Sequence, residues 1–97
     1  MTDDARALEL YQTALSLVDA KGRLVTVGLV AYMEYRGEGL SIRYYPSSGH
    51  LEVWHKRKML AVNKHGGVLA VRHYVPGPWE EALEDAARGF RAGRRKH

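Results

Sequence analysis

Cysteine is absent from the 97 residues. Disulfides, thiolate nucleophiles and cysteine-based zinc sites are therefore excluded. Long hydrophobic runs are also missing: none approaches the roughly 20 apolar residues needed to cross a bilayer. The opening Thr2-Asp3-Asp4 is acidic and lacks the basic and apolar regions of an export signal. A reducing cytoplasm is the expected location, with no membrane partner. Carboxylates are missing from one end. All eleven lie before Arg88, whereas Arg88, Arg91, Arg94, Arg95 and Lys96 crowd the last ten residues. The net charge of +4 thus belongs to the C-terminal end. Nucleophile-elbow, phosphate-loop and His-Glu-x-x-His motifs do not occur either.

What remains is a chain of one-domain length, 45% apolar, with no internal repeat or linker. Residues 1–97 are read as a single α+β domain, with 91–97 a frayed basic tail. Residues 3–20 predict a helix, because Leu8, Tyr11, Leu15 and Val18 recur at spacings of three and four, with Ala7 and Ala14 beside them. Thr2 or Asp3 is the expected cap, and Lys21-Gly22 the stop. Residues 24–36 read as a strand, since Val25, Thr26, Val27 and Val30 are β-branched and Gly28 weakens a helix. The competing reading, a helix here, would leave a four-stranded sheet. Turns at Gly37-Glu38-Gly39, Pro46-Ser47-Ser48-Gly49, Arg57-Lys58 and His65-Gly66-Gly67 separate short β-type segments that can only be antiparallel neighbours. Pro76-Gly77-Pro78 then starts a second helix with Glu80, Glu81 and Glu84 near its positive end. Trp79, Leu83, Ala86, Ala87 and Phe90 form its apolar stripe.

Centring each hairpin on its turn gives a register. Glu34, Arg43, Glu52 and Asn63 share one outward row, and Arg36, Ser41, Trp54, Ala61 and Arg72 the next. Tyr35, Ile42, Val53, Val62 and Val71, and Met33, Tyr44, Leu51, Lys64 and Leu69, form inward rows. A one-residue slip would destroy both patterns. The predicted architecture is a five-stranded antiparallel meander with both helices on one face.

The candidate chemistry lies on the other face. Trp54 stands among Arg36, Arg43 and Arg72, with Tyr45 and Tyr32 at one end and Tyr74 on the same parity. Aromatics interleaved with arginines suit bases stacked on rings and phosphates met by guanidinium groups. The same residue types suit a protein interface, including self-association. Arg94 and Arg95 in the tail would add sequence-blind attraction to phosphate, or simply complement the helix dipole. Lys56-Arg57-Lys58 is a second basic cluster, read as solvated turn charge. His55 and His73 are expected on the inner face beside Leu60, about 9–10 Å apart, too far for a metal without further ligands. No cofactor, metal or catalytic set is expected. The expected function is a macromolecule-binding module, its partner a protein, a second copy or a nucleic acid. The rival is a small ribonuclease using His55 or His73. RelE-like ribonuclease toxins are similar in combining basic residues with a small antiparallel sheet, but they begin with a strand, and no residue motif secures that family.

Overall fold

In the computed structural model, the backbone is described from residue 3 to 95 and the side chains from 4 to 89. Two helices flank six strands: α1 (Asp3–Lys21), β1 (Arg23–Val27), β2 (Val30–Gly37), β3 (Leu40–Tyr45), β4 (His50–His55), β5 (Arg57–His65), β6 (Val68–Tyr74) and α2 (Trp79–Arg95). The strands follow one another in a single antiparallel sheet ordered β1 to β6.

The sixth strand comes from residues 24–36, which form a hairpin rather than one strand or a helix. Val27 pairs with Val30 across Gly28-Leu29. Gly28 has φ +62°, whereas Leu29 does not enter the positive region. That is the pattern of a II′ turn, whose first loop residue is glycine because its twist matches the flanking strands. Gly28 therefore interrupts the apolar segment by turning it.

From β2 to β4 the expected register holds. Glu34 faces Arg43, Arg43 faces Glu52, Ser41 faces Trp54 and Ile42 faces Val53. Beyond β4 it does not. The turn expected at Arg57-Lys58 falls instead at Lys56, a non-glycine residue at φ +72°, so His55 pairs with Arg57. Glu52 consequently faces Ala61 and not Asn63, and Trp54 faces Lys58 and not Ala61. Two bulges follow. Val53 pairs with Leu60 but Trp54 with Lys58, leaving Met59 as the extra residue. Val62 pairs with Val71 but Ala61 with His73, leaving Arg72 as the extra residue. An inserted residue changes which face the next side chains take. Tyr74, expected outward, thus pairs with buried Leu60 and packs its ring edge-on to Trp79, centroids 6.3 Å apart. His73, expected inward, lies in the outward row with Ala61 and Glu52.

The core lies on the inner face. Leu40, Ile42, Leu51, Val53, Leu60 and Val62 meet Ala7, Leu10, Tyr11, Ala14, Leu17 and Val18 of α1 and Trp79 and Leu83 of α2. The buried stripe of α1 is rotated from the expected one: Leu8 and Leu15 are only partly buried, flanking a line centred on two alanines. The small Ala7 and Ala14 let the helix lie close to the sheet, which α1 crosses from β2 to β6. Its end is as expected, with the Gly22 N–H donating to the Val18 carbonyl at 2.7 Å. Thr2 and the side chains of Asp3 and Phe90, and with them the expected cap, lie outside the described residues. Lys64, the one charge expected on an inward row, is exposed near the end of β5.

At the start of α2, Glu80 reaches back to the Gly77 N–H at 3.2 Å. This is the reciprocal half of a capping box, in which the third helical residue satisfies an orphan donor at the cap. The same carboxylate accepts the Tyr74 hydroxyl at 2.9 Å and pairs with Arg6 of α1 at 2.9 Å. It ties both helices to the last strand. With both helices on the inner side, the outer face has no covering layer among the described residues. No described helix is long and apolar enough to cross a membrane.

A basic and aromatic sheet face as the candidate functional site

Strand pairing places the outer-face residues in rows. Arg23, Glu34, Arg43, Glu52, Ala61 and His73 form the central one. On one side run Val25, Tyr32, Tyr45, His50, Asn63 and Ala70; on the other, Arg36, Ser41, Trp54 and Lys58. Of the expected site residues, Arg36, Arg43, Tyr45 and Trp54 are thus brought together. Arg72 is not in the row of Trp54. It is the extra residue of the β6 bulge and stands, exposed, at the far side of the face. The side chains of Arg94 and Arg95 lie outside the described residues.

Two carboxylates organise the cations. Glu34 is only 5% exposed and is surrounded by arginines: Arg36 Nε at 3.2 Å, Arg43 Nε at 3.7 Å and Arg23 at 3.9 Å. Arg43 Nε is buried without a hydrogen-bond partner, so its attraction to Glu34 is coulombic rather than a formed bond. Its guanidinium also lies over the Tyr32 ring, 5.6 Å from the centroid. Glu52 serves the second cluster. His50 Nε2 donates to it at 2.9 Å, Trp54 Nε1 donates at 3.0 Å, and the Lys58 ammonium lies at 3.6 Å. Lys58 also sits 5.5 Å from the centre of the Trp54 ring.

Burial alone would raise the Glu52 pKa, but the hydrogen bonds from His50 and Trp54 and the charge of Lys58 outweigh it, and the net shift is downward. A carboxyl whose folded pKa lies below its unfolded value adds stability above the unfolded pKa and loses it as pH falls through the folded one. Glu52→Gln should therefore flatten the acid limb of the melting temperature measured between about pH 6 and pH 3. Parallel curves for the two proteins would show that Glu52 contributes nothing to acid sensitivity.

The aromatic side chains form a continuous row. Tyr32 and Tyr45 have centroids 5.2 Å apart, and Tyr45 and His50 5.7 Å. His50 also touches Asn63 through Nδ1, so both of its ring nitrogens are engaged. Beyond it the face sinks into a depression of about 660 Å³ lined by His50, Asn63, Lys58, Arg57, Arg72 and His73, with Ala61 and Val75. The β4–β5 and β5–β6 pairings beneath it carry the two bulges, which increase local twist and bend a sheet. The small Ala61 forms its floor between Glu52 and His73.

Sequence reasoning places Trp54, Tyr45, Arg36 and Arg43 but misses this depression. Its basic rim is visible as Lys56-Arg57-Lys58, which reads as turn charge. What joins that rim to Arg72 and His73 is the pair of bulges, which composition does not mark. His55 remains on the inner side, near Gly39, so the two histidines expected together lie on opposite faces. Among the described residues, no group of three or more acidic or histidine side chains could hold a metal ion. No protein-family model, curated protein or solved structure matches the chain.

Proposed function

We propose that this chain is a small intracellular binding module that takes single-stranded nucleic acid on its outer sheet face. The observation that carries the reading is the uncovered face itself: a Tyr32–Tyr45–His50 row running into a basic depression, beside Trp54. Stacking needs accessible π-faces and the backbone needs cations alongside them; Tyr32, Tyr45, His50 and Trp54 are half-buried rings with Arg43 and Lys58 beside them. A binding role is favoured over a hydrolytic one by the histidines. His55 and His73 lie on opposite sides of the sheet, and His50 has neither ring nitrogen open to a substrate.

The test is fluorescence anisotropy of labelled single-stranded DNA and RNA at two salt concentrations. Trp54→Ala should weaken binding by about 1–3 kcal/mol, the usual value of one stacked base, while the thermal melt stays close to wild type. If the variant unfolds instead, Trp54 belongs to the core and the face reading is wrong. No binding at low salt would remove the nucleic-acid reading.

A second reading rests on a separate observation. Val27, Leu29 and Val30 are exposed at the β1–β2 turn, and Leu24 further along β1, at the sheet edge. Exposed apolar groups on an unpaired edge strand favour association with another chain. Sedimentation at micromolar concentration separates self-association from a monomer.

A further inference from the structure

We propose that the depression between β4, β5 and β6 is a binding site for a phosphate group, held chiefly by Arg57 and Arg72. The inference deepens the nucleic-acid reading and rests on it for the source of the phosphate, though not for the site.

The first ground is charge left uncommitted. Arg23, Arg36, Arg43 and Lys58 all lie within 4 Å of Glu34 or Glu52. Arg57 and Arg72 have no hydrogen bond or ion pair among the described residues, yet both line the same depression. The two acidic residues of the face neutralise its middle and leave the positive potential concentrated here. The second ground is how those side chains come to be there. Arg72 is the extra residue of one bulge, and Arg57, paired with the inward His55, reaches the depression from the strand end directly after Lys56, a lysine held at φ +72°. Bulges re-aim side chains, and non-glycine residues in the left-handed region carry a cost that ordinary loops avoid. Without the bulge, Arg72 would face Ala61 in an ordinary row.

The third ground is the donor set. Two guanidinium forks offer paired N–H donors matched to the oxygens of a phosphate. Asn63 is held against His50 Nδ1 at the wall of the depression. His73 already donates through Nε2 to the Lys58 carbonyl at 2.9 Å, which fixes its ring at the rim. Beside Lys58, Ala61 and Val75, one wall is His50, the last member of the aromatic row, so a phosphate seated here has its attached group directed along rings that can stack it. A carboxylate ligand would satisfy one guanidinium fork; a phosphate has oxygens for both.

The experiment is a two-dimensional ¹H–¹⁵N NMR titration of the full chain at constant ionic strength, first with inorganic phosphate, then with a short single-stranded oligonucleotide. Wild type, the Arg57→Ala/Arg72→Ala variant and Trp54→Ala are compared. Both arginines are exposed and unpaired, so their removal should leave the spectrum of the fold intact. Saturable shifts confined to residues 57–63 and 70–74, lost in the double variant, are expected with phosphate. The same variant should bind the oligonucleotide about ten-fold or more weakly, or roughly 1.4 kcal/mol. Phosphate shifts that do not saturate, or that persist in the double variant, overturn the site. An oligonucleotide bound equally well by wild type and double variant but not by Trp54→Ala also overturns it, while leaving the outer-face reading standing. Saturable, arginine-dependent phosphate binding without oligonucleotide binding supports the site, makes small phosphate esters its source, and sinks the nucleic-acid reading.

Discussion

Trp79→Ala should cost the domain about 3–5 kcal/mol, the range for truncating a buried aromatic side chain. Small domains have about 5–15 kcal/mol in total, so this change alone should bring the chain close to unfolding at ambient temperature. Trp79 is fully buried at the first turn of α2, where that helix meets α1 and the end of the sheet. Its ring packs edge-on against Tyr74, and its Nε1–H donates to the Val75 carbonyl at 2.7 Å. Truncation would open a cavity, leave that carbonyl without the indole donor and release the contact that seats Tyr74 beside Glu80. Trp79→Phe separates these effects. It keeps most of the apolar volume and loses the hydrogen bond, a change of about 1 kcal/mol plus a packing remainder. Urea unfolding followed by circular dichroism measures both variants. A Trp79→Ala protein within about 1 kcal/mol of wild type would mean that α2 is not part of the cooperative unit.

The bulk of this architecture is legible in the sequence, and the limits of that legibility have physical causes. Rows from β2 to β4 can be read because Glu34, Arg43 and Glu52 alternate in charge on one side while Met33, Tyr35, Ile42, Tyr44, Leu51 and Val53 are apolar on the other. Only one register keeps both. The hairpin of β1 and β2 is hidden because Val27, Leu29 and Val30 surround Gly28 with strand formers, so the turn lacks the usual polar neighbours. Met59 and Arg72 hide for a different reason. A bulge residue in an antiparallel strand needs no special side chain, yet each one reverses the parity of the residues after it. That single count separates His73 outward from Tyr74 inward, and it is why spacing alone does not assemble the depression. The α1 stripe is misplaced when leucines are weighted over alanines. Close approach of a helix to a sheet selects Ala7 and Ala14 for the centre and leaves Leu8 and Leu15 to cover the flanks.

Glu34→Ala should act on stability and on binding in opposite directions. Removing one partner of a buried ion pair costs about 3–5 kcal/mol when the other charge stays unpaired and buried. Here the cost should be lower, about 2 kcal/mol, because Arg23 and Arg36 are largely exposed and can turn to water, which screens their share. Arg43 cannot turn away as easily. Its Nε is already buried without a hydrogen bond, and Glu34 is the carboxylate that compensates it. Most of the loss should therefore be shared with Arg43, and Glu34→Ala/Arg43→Ala should be destabilised by less than the sum of the single changes. Moderate salt should reduce the exposed contribution and leave the buried one. The same charges govern binding. Glu34 is one of two carboxylates that neutralise the outer face, and removing it leaves Arg36 available to a phosphate backbone. An oligonucleotide should thus bind the less stable variant more tightly, with a steeper dependence on salt, since each added phosphate contact on a single strand steepens the slope by about 0.7. Calorimetric unfolding and anisotropy on the same preparation test the two halves together. A variant as stable as wild type would reduce the Glu34 cluster to surface decoration. A destabilised variant with weaker oligonucleotide binding would show that Glu34 positions the arginines for the ligand rather than holding them back from it.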